Sequence, residues 1–175
     1  MAEAHSKDTV DSRADDAIES LAARFPGLES STYRGQVRVV IGAGVALEFF
    51  THLKQLGFNQ LIDVTCVDYL EYRGATRRYG LVYLLTATGT GRRLTVRLFV
   101  DDPEPAVPSI SGLWRSANWL EREVWDMFGI RFIGHPDLRR LLMPEEFLAH
   151  PLRKDYPLQG RGERHNFPVL TREDG

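Results

Sequence analysis

Between Trp119 and Arg140 the chain reads WLEREVWDMFGIRFIGHPDLRR, and the placement of charge in this stretch constrains the fold more than any other feature. At about 100° per residue, Leu120, Val124, Trp125, Met127 and Phe128 sweep one broad apolar arc of a helix. Arg122, Glu123 and Asp126 fall on the other side, joined by Trp119, whereas Glu121 falls inside the apolar arc. A carboxylate there must meet a cation or hydrogen-bond donors, or keep its proton, because burying it unpaired costs several kcal/mol. The helix is therefore expected to be enclosed by more than its own domain, with its charges paired.

The ends of this helix are readable. Ser116 is the expected N-cap, and Gly129 the residue past the last turn, with Ile130 placed for the apolar contact of a Schellman-type end. Gly134-His135-Pro136-Asp137 is expected to open a second short turn, with Pro136 in its first turn and Asp137 near its positive end. Arg139 and Arg140 close that turn and supply cations for Glu121, Glu123 and Asp126.

The remaining chain supplies the core. Ala14, Ala17, Ile18, Leu21, Ala22 and Phe25 form a helical stripe stopped by Pro26-Gly27, after a polar stretch, 1–12, expected to be disordered. Gln36–Ile41 alternates as a strand with Val37, Val39 and Ile41 on one side. Gly42-Ala43-Gly44 turns into a helix over Val45–Leu56, closed by Gly57. Leu61–Tyr69 is a strand with Ile62, Val64 and Cys66 on one face. Tyr79–Thr86 and Arg93–Val100 are strands joined by the hairpin loop Thr88-Gly89-Thr90-Gly91. Glu71–Thr76 joins the two strands before that in the same way. Asp101–Pro108, an acidic proline-rich linker, ends the sheet.

This order gives an α+β fold. It is a single domain over 13–100 with a mixed, largely antiparallel four-stranded sheet and helices packed on it. Residues 101–149 then hold the linker, the charged-aromatic helix and the GHPDLRR turn. Residues 150–175, HPLRKDYPLQGRGERHNFPVLTREDG, contain too few aliphatics to fold on their own surface. They read as a loose tail or a strap laid extended along another protein, since residues before proline favour extended backbone.

Composition excludes several function classes. The net charge of −2 gives no basic stripe for nucleic acid. No apolar run reaches the roughly 20 residues that span a bilayer, and the first residues hold no secretory apolar core, so an intracellular protein is expected. One cysteine, Cys66, rules out an internal disulfide and an iron–sulfur cluster held by this chain alone. In its strand Cys66 reads as a small core residue.

Candidate chemistry sits in three places. His135, His150 and His165 are evenly spaced, yet they form no HxxH or HxxxH pair, so structural hydrogen bonding outweighs a metal site. Glu121 and Glu123 point apart on a helix and do not make a general acid–base pair for one bond. Gly42-Ala43-Gly44 lacks the third glycine of a dinucleotide fingerprint and reads as a simple turn. The charged-aromatic helix keeps two readings: an internal salt-bridge network, or an interface element continued by the strap. A free-standing enzyme using His135 with Glu121 or Asp126 is the rival to both.

EREVWDMFGIRFIGHPDLRRLL at 121–142, followed by HPLRKDYPL at 150–158, resembles the small hydrophilic peripheral-arm subunit of the proton-translocating NADH:quinone oxidoreductase, respiratory complex I. That family runs ERE, a short gap, D-(L/M)-(F/Y)-G-(I/V), GHP-(D/N)-LRR and GHPLRKD-(F/Y)-P. Val64–Tyr69 resembles a family strand ending in Asp-Tyr. The chain departs at Ala149, where the family often has glycine, and near Phe147, where it often has tryptophan. Membrane-bound hydrogenases and coenzyme F420 dehydrogenases carry similar modules.

The resemblance implies a non-catalytic subunit of the peripheral arm at the cytoplasmic face of the membrane. It implies no cofactor on this chain, with FMN and iron–sulfur clusters elsewhere in the complex. The implied partners are the large quinone-site subunit and neighbouring iron–sulfur subunits. The implied partner surface comprises Glu121, Arg122, Glu123, Asp126, Phe128, Gly129, His135, Pro136, Asp137, Arg139 and Arg140, together with His150, Pro151, Arg153, Lys154 and Asp155 of the strap.

Overall fold

In the computed structural model, which describes residues 21–163, five strands form one mixed sheet. They are β1 (Glu29–Tyr33), β2 (Gln36–Ile41), β3 (Gln60–Asp68), β4 (Tyr79–Ala87) and β5 (Arg92–Val100), in the spatial order β1-β2-β5-β4-β3. β2 and β5 are parallel and the other neighbours antiparallel. The α+β class is as expected, with one strand more than the sequence pattern suggests. The additional strand, β1, reads ESSTY and is exposed throughout, so it has no apolar alternation to betray it. It is fixed by the two-residue turn Arg34-Gly35, in which both residues have positive φ (51° and 73°). Such turns match the twist of the flanking strands.

β3 departs from simple alternation. Leu61 pairs with Leu85 and Asp63 with Leu84, so Ile62 is an extra, bulged residue. The expected face of Ile62, Val64 and Cys66 is thus corrected: Leu61, Val64 and Cys66 are buried and Ile62 is 49% exposed. A bulge exchanges the side to which the preceding residues point.

Helix α1 (Ala46–Gln55) follows a single 3-10 turn, Ala43–Val45, close to the expected bounds. It closes as a complete Schellman end: Gly57 (φ 89°) donates to Lys54 O at 3.2 Å and Phe58 to Leu53 O at 3.1 Å. Its Phe49, Phe50 and Leu53 are fully buried. Phe50 packs 4.6 Å from Tyr83 of β4 and edge-on to Trp114 at 6.2 Å. Phe25 lies edge-on to Phe49 at 5.1 Å, the end of a helix whose described residues are 21–24. The expectations for residues 1–20 lie otherwise outside the described residues, as does His165.

The linker does more than end the sheet. Its last residues form β6 (Ala106–Pro108), which pairs in parallel with β7 (Arg131–Ile133). The long helix α2 (Ala117–Phe128) runs between those two strands and packs against β3. A three-residue strand with two prolines nearby has no period to detect.

Because Phe50 joins α1, β4 and Trp114 in one contact set, Phe50→Ala should cost about 3–5 kcal/mol. Chemical denaturation followed by tryptophan fluorescence measures it.

Candidate functional site

α2 lies where the sequence placed it, but its N-terminus is held differently. Ser116 has helical φ and ψ and does not cap; its hydroxyl donates to Leu61 O of β3 at 3.2 Å. At the other end Gly129 (φ 79°) donates to Trp125 O at 2.8 Å, a left-handed end with one closing bond, and Ile130 is fully buried. The next two carbonyls, which a helix leaves orphaned, are met from outside. His150 Nδ1 donates to Asp126 O at 3.0 Å and Leu152 N to Met127 O at 3.0 Å. A Cβ at Gly129 would stand 2.7 Å from the His150 ring, so this glycine is required by its φ and by the close approach of the strap.

Of the expected polar side of α2, Glu123 and Trp119 face solvent as expected, but the other two residues do not. Arg122 and Asp126 are buried, one turn apart, against the segment 139–143. That segment, with Gly134–Arg140 before it, forms no helical turn, which corrects the expectation for GHPDLRR. Its backbone is instead bonded by two side chains. Asp126 Oδ2 accepts from the N–H groups of Leu141, Leu142 and Met143 at 3.0, 2.7 and 2.9 Å. Arg122 donates to the carbonyls of Arg139 and Arg140 at 3.1 and 2.9 Å. Asp126 Oδ1 pairs with Arg140 at 2.6 Å, and Arg140 donates onward to Ala149 O at 3.0 Å. Burial raises the Asp126 pKa, but the three N–H bonds and Arg140 outweigh it and hold the carboxyl below its ordinary range.

A second network pins the strap to the sheet. Asp68, at the end of β3, is buried and accepts from Arg78 at 3.1 Å, Lys154 N at 2.9 Å and Leu70 N at 3.0 Å. Arg78 also bonds Asp155 at 2.7 Å and pairs with Asp102. Arg153 pairs with Asp155 at 3.1 Å and Asp102 at 3.5 Å, and both guanidinium groups lie over the Tyr79 ring. The described part of the tail, 150–163, is thus a run of turns folded onto its own chain rather than an extended strap. It is held by ions and backbone bonds, which a count of aliphatic residues does not register.

Glu121 is fully buried, as its place in the apolar arc requires, but it is not paired with Arg139 or Arg140. Its carboxylate accepts from Ser109 Oγ at 2.6 Å and Ile110 N at 2.7 Å. The buried His135 ring lies 4.0 Å away. His135 Nδ1 accepts from Asp137 N at 3.1 Å, which assigns the ring proton to Nε2, 3.1 Å from Asn118 O. With no guanidinium beside it, burial pushes the Glu121 pKa up to about 7 against the two hydrogen bonds. Tyr83 faces the same site from β4; burial and then the Glu121 charge push its phenol well above the ordinary range.

The other expected surface residues divide. Glu123 and Lys154 are exposed, and Asp137 and Arg139 form an exposed pair at 3.0 Å. Phe128 is buried, Pro136 and Pro151 are not. Sequence reasoning missed Asp68, Arg78, Asp102, Ser109 and Tyr79. Asp68 carries the same signal as Glu121: a carboxylate at the core-facing parity of a strand, two residues after Cys66.

Asp126→Ala would leave Arg140 and three backbone N–H groups without their acceptor, and should cost about 3–5 kcal/mol in chemical denaturation. Glu121 behaves in the opposite sense with pH. Its folded pKa lies above the unfolded value, so its contribution is whole below about 4.5 and lost as pH rises to about 7. Glu121→Gln removes that loss: its melting temperature relative to the parent should climb between about pH 5 and pH 8. A flat difference would mean that Glu121 stays charged throughout.

Comparison with known proteins agrees with this architecture. A family described as "Respiratory-chain NADH dehydrogenase, 30 Kd subunit" matches residues 39–162. NADH-quinone oxidoreductase subunit 5 of Thermus thermophilus is 46% identical over 145 residues, covering 79% of this chain and 67% of that protein. An NADH-quinone oxidoreductase subunit of Geobacter sulfurreducens is 42% identical over 147 residues, covering 82% and 90%. Among solved structures, a trypsin-resistant fragment of Nqo5 is similar with a TM-score of 0.66 at 38% identity, covering 72% of this chain and 99% of the fragment. A chain of the archaeal membrane-bound sulfane sulfur reductase shares the fold, with a TM-score of 0.75 at 21% identity over 91% of this chain and 94% of that one. The matched family spans the sheet from β2 onward, α2 and the strap alike, and the chain belongs to it: the 30 kDa subunit family of the respiratory-chain NADH dehydrogenases, or NADH-quinone oxidoreductases.

Proposed function

We propose that this chain is a non-catalytic structural subunit of the peripheral arm of an NADH-quinone oxidoreductase. It docks on the large quinone-site subunit and adjoining iron–sulfur subunits at the cytoplasmic face of the membrane. The complex then passes electrons from NADH through FMN and iron–sulfur clusters held by other subunits to quinone, coupled to proton translocation. One observation carries the reading. The buried ions of α2 and the strap are satisfied within the chain, while the same region leaves Trp119, Ile133, Leu142, Leu148, Leu152 and Leu158 exposed. These are six of the thirteen large exposed hydrophobics among the described residues, and apolar surface of that kind suits a protein partner.

Three further points support it. Cys66 is the one cysteine, and burial pushes its thiol up to about 12, so it is a poor thiolate ligand for a cluster. Glu121 and His135 both have fully buried side chains, which denies a substrate access to the pair a free-standing enzyme would use. Among the described residues no helix is long and apolar enough to cross a membrane, so attachment runs through partner subunits.

Leu142→Asp with Leu148→Asp tests the docking surface. Incorporation into the purified complex should fall by roughly tenfold or more, with NADH-to-quinone turnover falling in proportion and the melting of the isolated chain unchanged. Normal incorporation of the double variant would overturn this surface. Turnover by the isolated chain would overturn the non-catalytic reading.

A further inference from the structure

We propose that the open face of the five-stranded sheet is a second docking surface, centred on Arg97, for a protein surface that presents a carboxylate among apolar side chains. The inference rests on the reading of this chain as a subunit and adds the sheet face opposite the two helices.

The sheet has two unlike faces. α1 meets Tyr83 through Phe50, and Glu121 of α2 faces Tyr83 as well, so both helices lie on the Tyr83 side. The alternate residues of the central strands point away from them. Val82 pairs with Arg97 and Gly80 with Phe99, while Val40 of β2 lies beside Arg97 in the parallel ladder. These residues are intermediate in exposure, apart from Gly80, which is buried beneath aromatic rings. No described helix covers them.

A compact group is built on that face over Gly80. A Cβ on Gly80 would stand 2.8 Å from Tyr69 Cε2 and 3.0 Å from Phe99 Cε1, so the absence of a side chain lets both rings lie down on the strand. Tyr69 is 6.3 Å from Phe99 and meets Tyr72 edge-on at 5.7 Å. The Arg97 guanidinium lies 5.3 Å over Phe99 and donates one amino group to the Tyr69 hydroxyl. Tyr72 is 69% exposed at the rim. Positioned tyrosines and an arginine on a pleated surface are the chemistry that dominates protein interfaces.

Arg97 specifies the partner. Its Nε–H is buried and meets no acceptor, and no carboxylate stands within ion-pair distance of its guanidinium among the described residues. Buried donors are almost always bonded, and an acceptor arriving from outside would satisfy this one. Arg38 and Arg93 lie on the same face by register, against Glu29 at the β1 edge and Asp63 on β3. The cationic balance favours a carboxylate. Arg97 recessed among aromatics, with Arg38 and Arg93 offset by Glu29 and Asp63, differs from the clusters of exposed cations that attract anionic lipid.

Hydroxyl-radical footprinting tests this by comparing the free full chain with the purified intact oxidoreductase complex. Oxidation of Tyr69, Tyr72 and Phe99 should fall by about fivefold or more in the complex, as for side chains sealed in an interface. If Leu142 and Leu148 are protected while Tyr72 reacts as in the free chain, the sheet face is no interface and the proposed function stands. A chain absent from the complex overturns both. Arg97→Glu should reduce incorporation by about tenfold with unchanged melting of the isolated chain. Should that variant fail to fold, Tyr72→Ser at the exposed rim carries the same expectation. Protection of Tyr72 in the free chain by phosphatidylglycerol vesicles at physiological salt would replace the protein partner with a lipid surface and overturn the proposal.

Discussion

The carboxylate of Asp126 organises the half of the molecule that lacks a sheet. Residues 134–150 have no regular structure, and their middle, 139–143, runs against the buried Arg122 and Asp126 of α2. Asp126 takes the three successive N–H groups of 141–143, and Arg122, one turn earlier, takes the two carbonyls just before them, those of Arg139 and Arg140. Side chains four residues apart on a helix lie on one face, so the pair acts as a short strand edge would, offering acceptor and donor to a passing chain. The charges therefore spend their hydrogen-bonding capacity on backbone, and Arg140 neutralises the acid that remains.

The strap extends the same logic to the sheet. His150 and Leu152 complete the C-terminus of α2, and two and three residues after Leu152 Lys154 N and Asp155 close on Asp68 and Arg78. One stretch of chain thus bridges the end of α2 and the end of β3 through polar bonds, with His150 edge-on to Trp125 and Arg153 over Tyr79. Burial of the His150 ring, with Arg140 and Arg153 nearby, depresses its pKa despite the Asp126 carbonyl bond. This link is whole above the ordinary histidine pKa of about 6.5 and weakens as pH falls through the lower folded value. With these groups turned inward, the region still shows leucine, isoleucine and tryptophan outward, among exposed charges such as Glu123, Asp137, Arg139 and Lys154.

Much of this is readable where a period exists. α1, α2, the long strands and the glycine ends follow from spacing, and the buried state of Glu121 follows from its place in an apolar arc. β1 and β6 are unreadable for opposite reasons: β1 is an exposed edge strand of polar residues, and β6 is too short to show alternation. The Ile62 bulge is invisible because a single inserted residue reverses parity without changing composition. The Arg140 partner of Asp126 is readable in the sequence, but the backbone partners of Asp126 and both partners of Glu121 escape it for one reason: it displays nearby cations and hides which backbone N–H groups will pass close by. Spacing locates a buried acid, but only the path of the loop decides what meets it.

That distinction has chemical force. Glu121 and Asp126 sit on one helix and are both fully buried, yet their carboxyl groups move in opposite directions. Asp126 has three N–H groups and a guanidinium; Glu121 has one N–H, one hydroxyl and an imidazole whose proton is already committed to Asn118. Ser109 can donate to a charged Glu121, or accept from a protonated one while turning its own hydrogen to Ser111 Oγ, 2.8 Å away. Either protonation state of Glu121 is therefore fully bonded, whereas a protonated Asp126 would have to surrender bonds that hold the 141–143 segment. The first acid tolerates a proton and the second forbids one, which makes Asp126 the fixed point of this region and Glu121 its adjustable one.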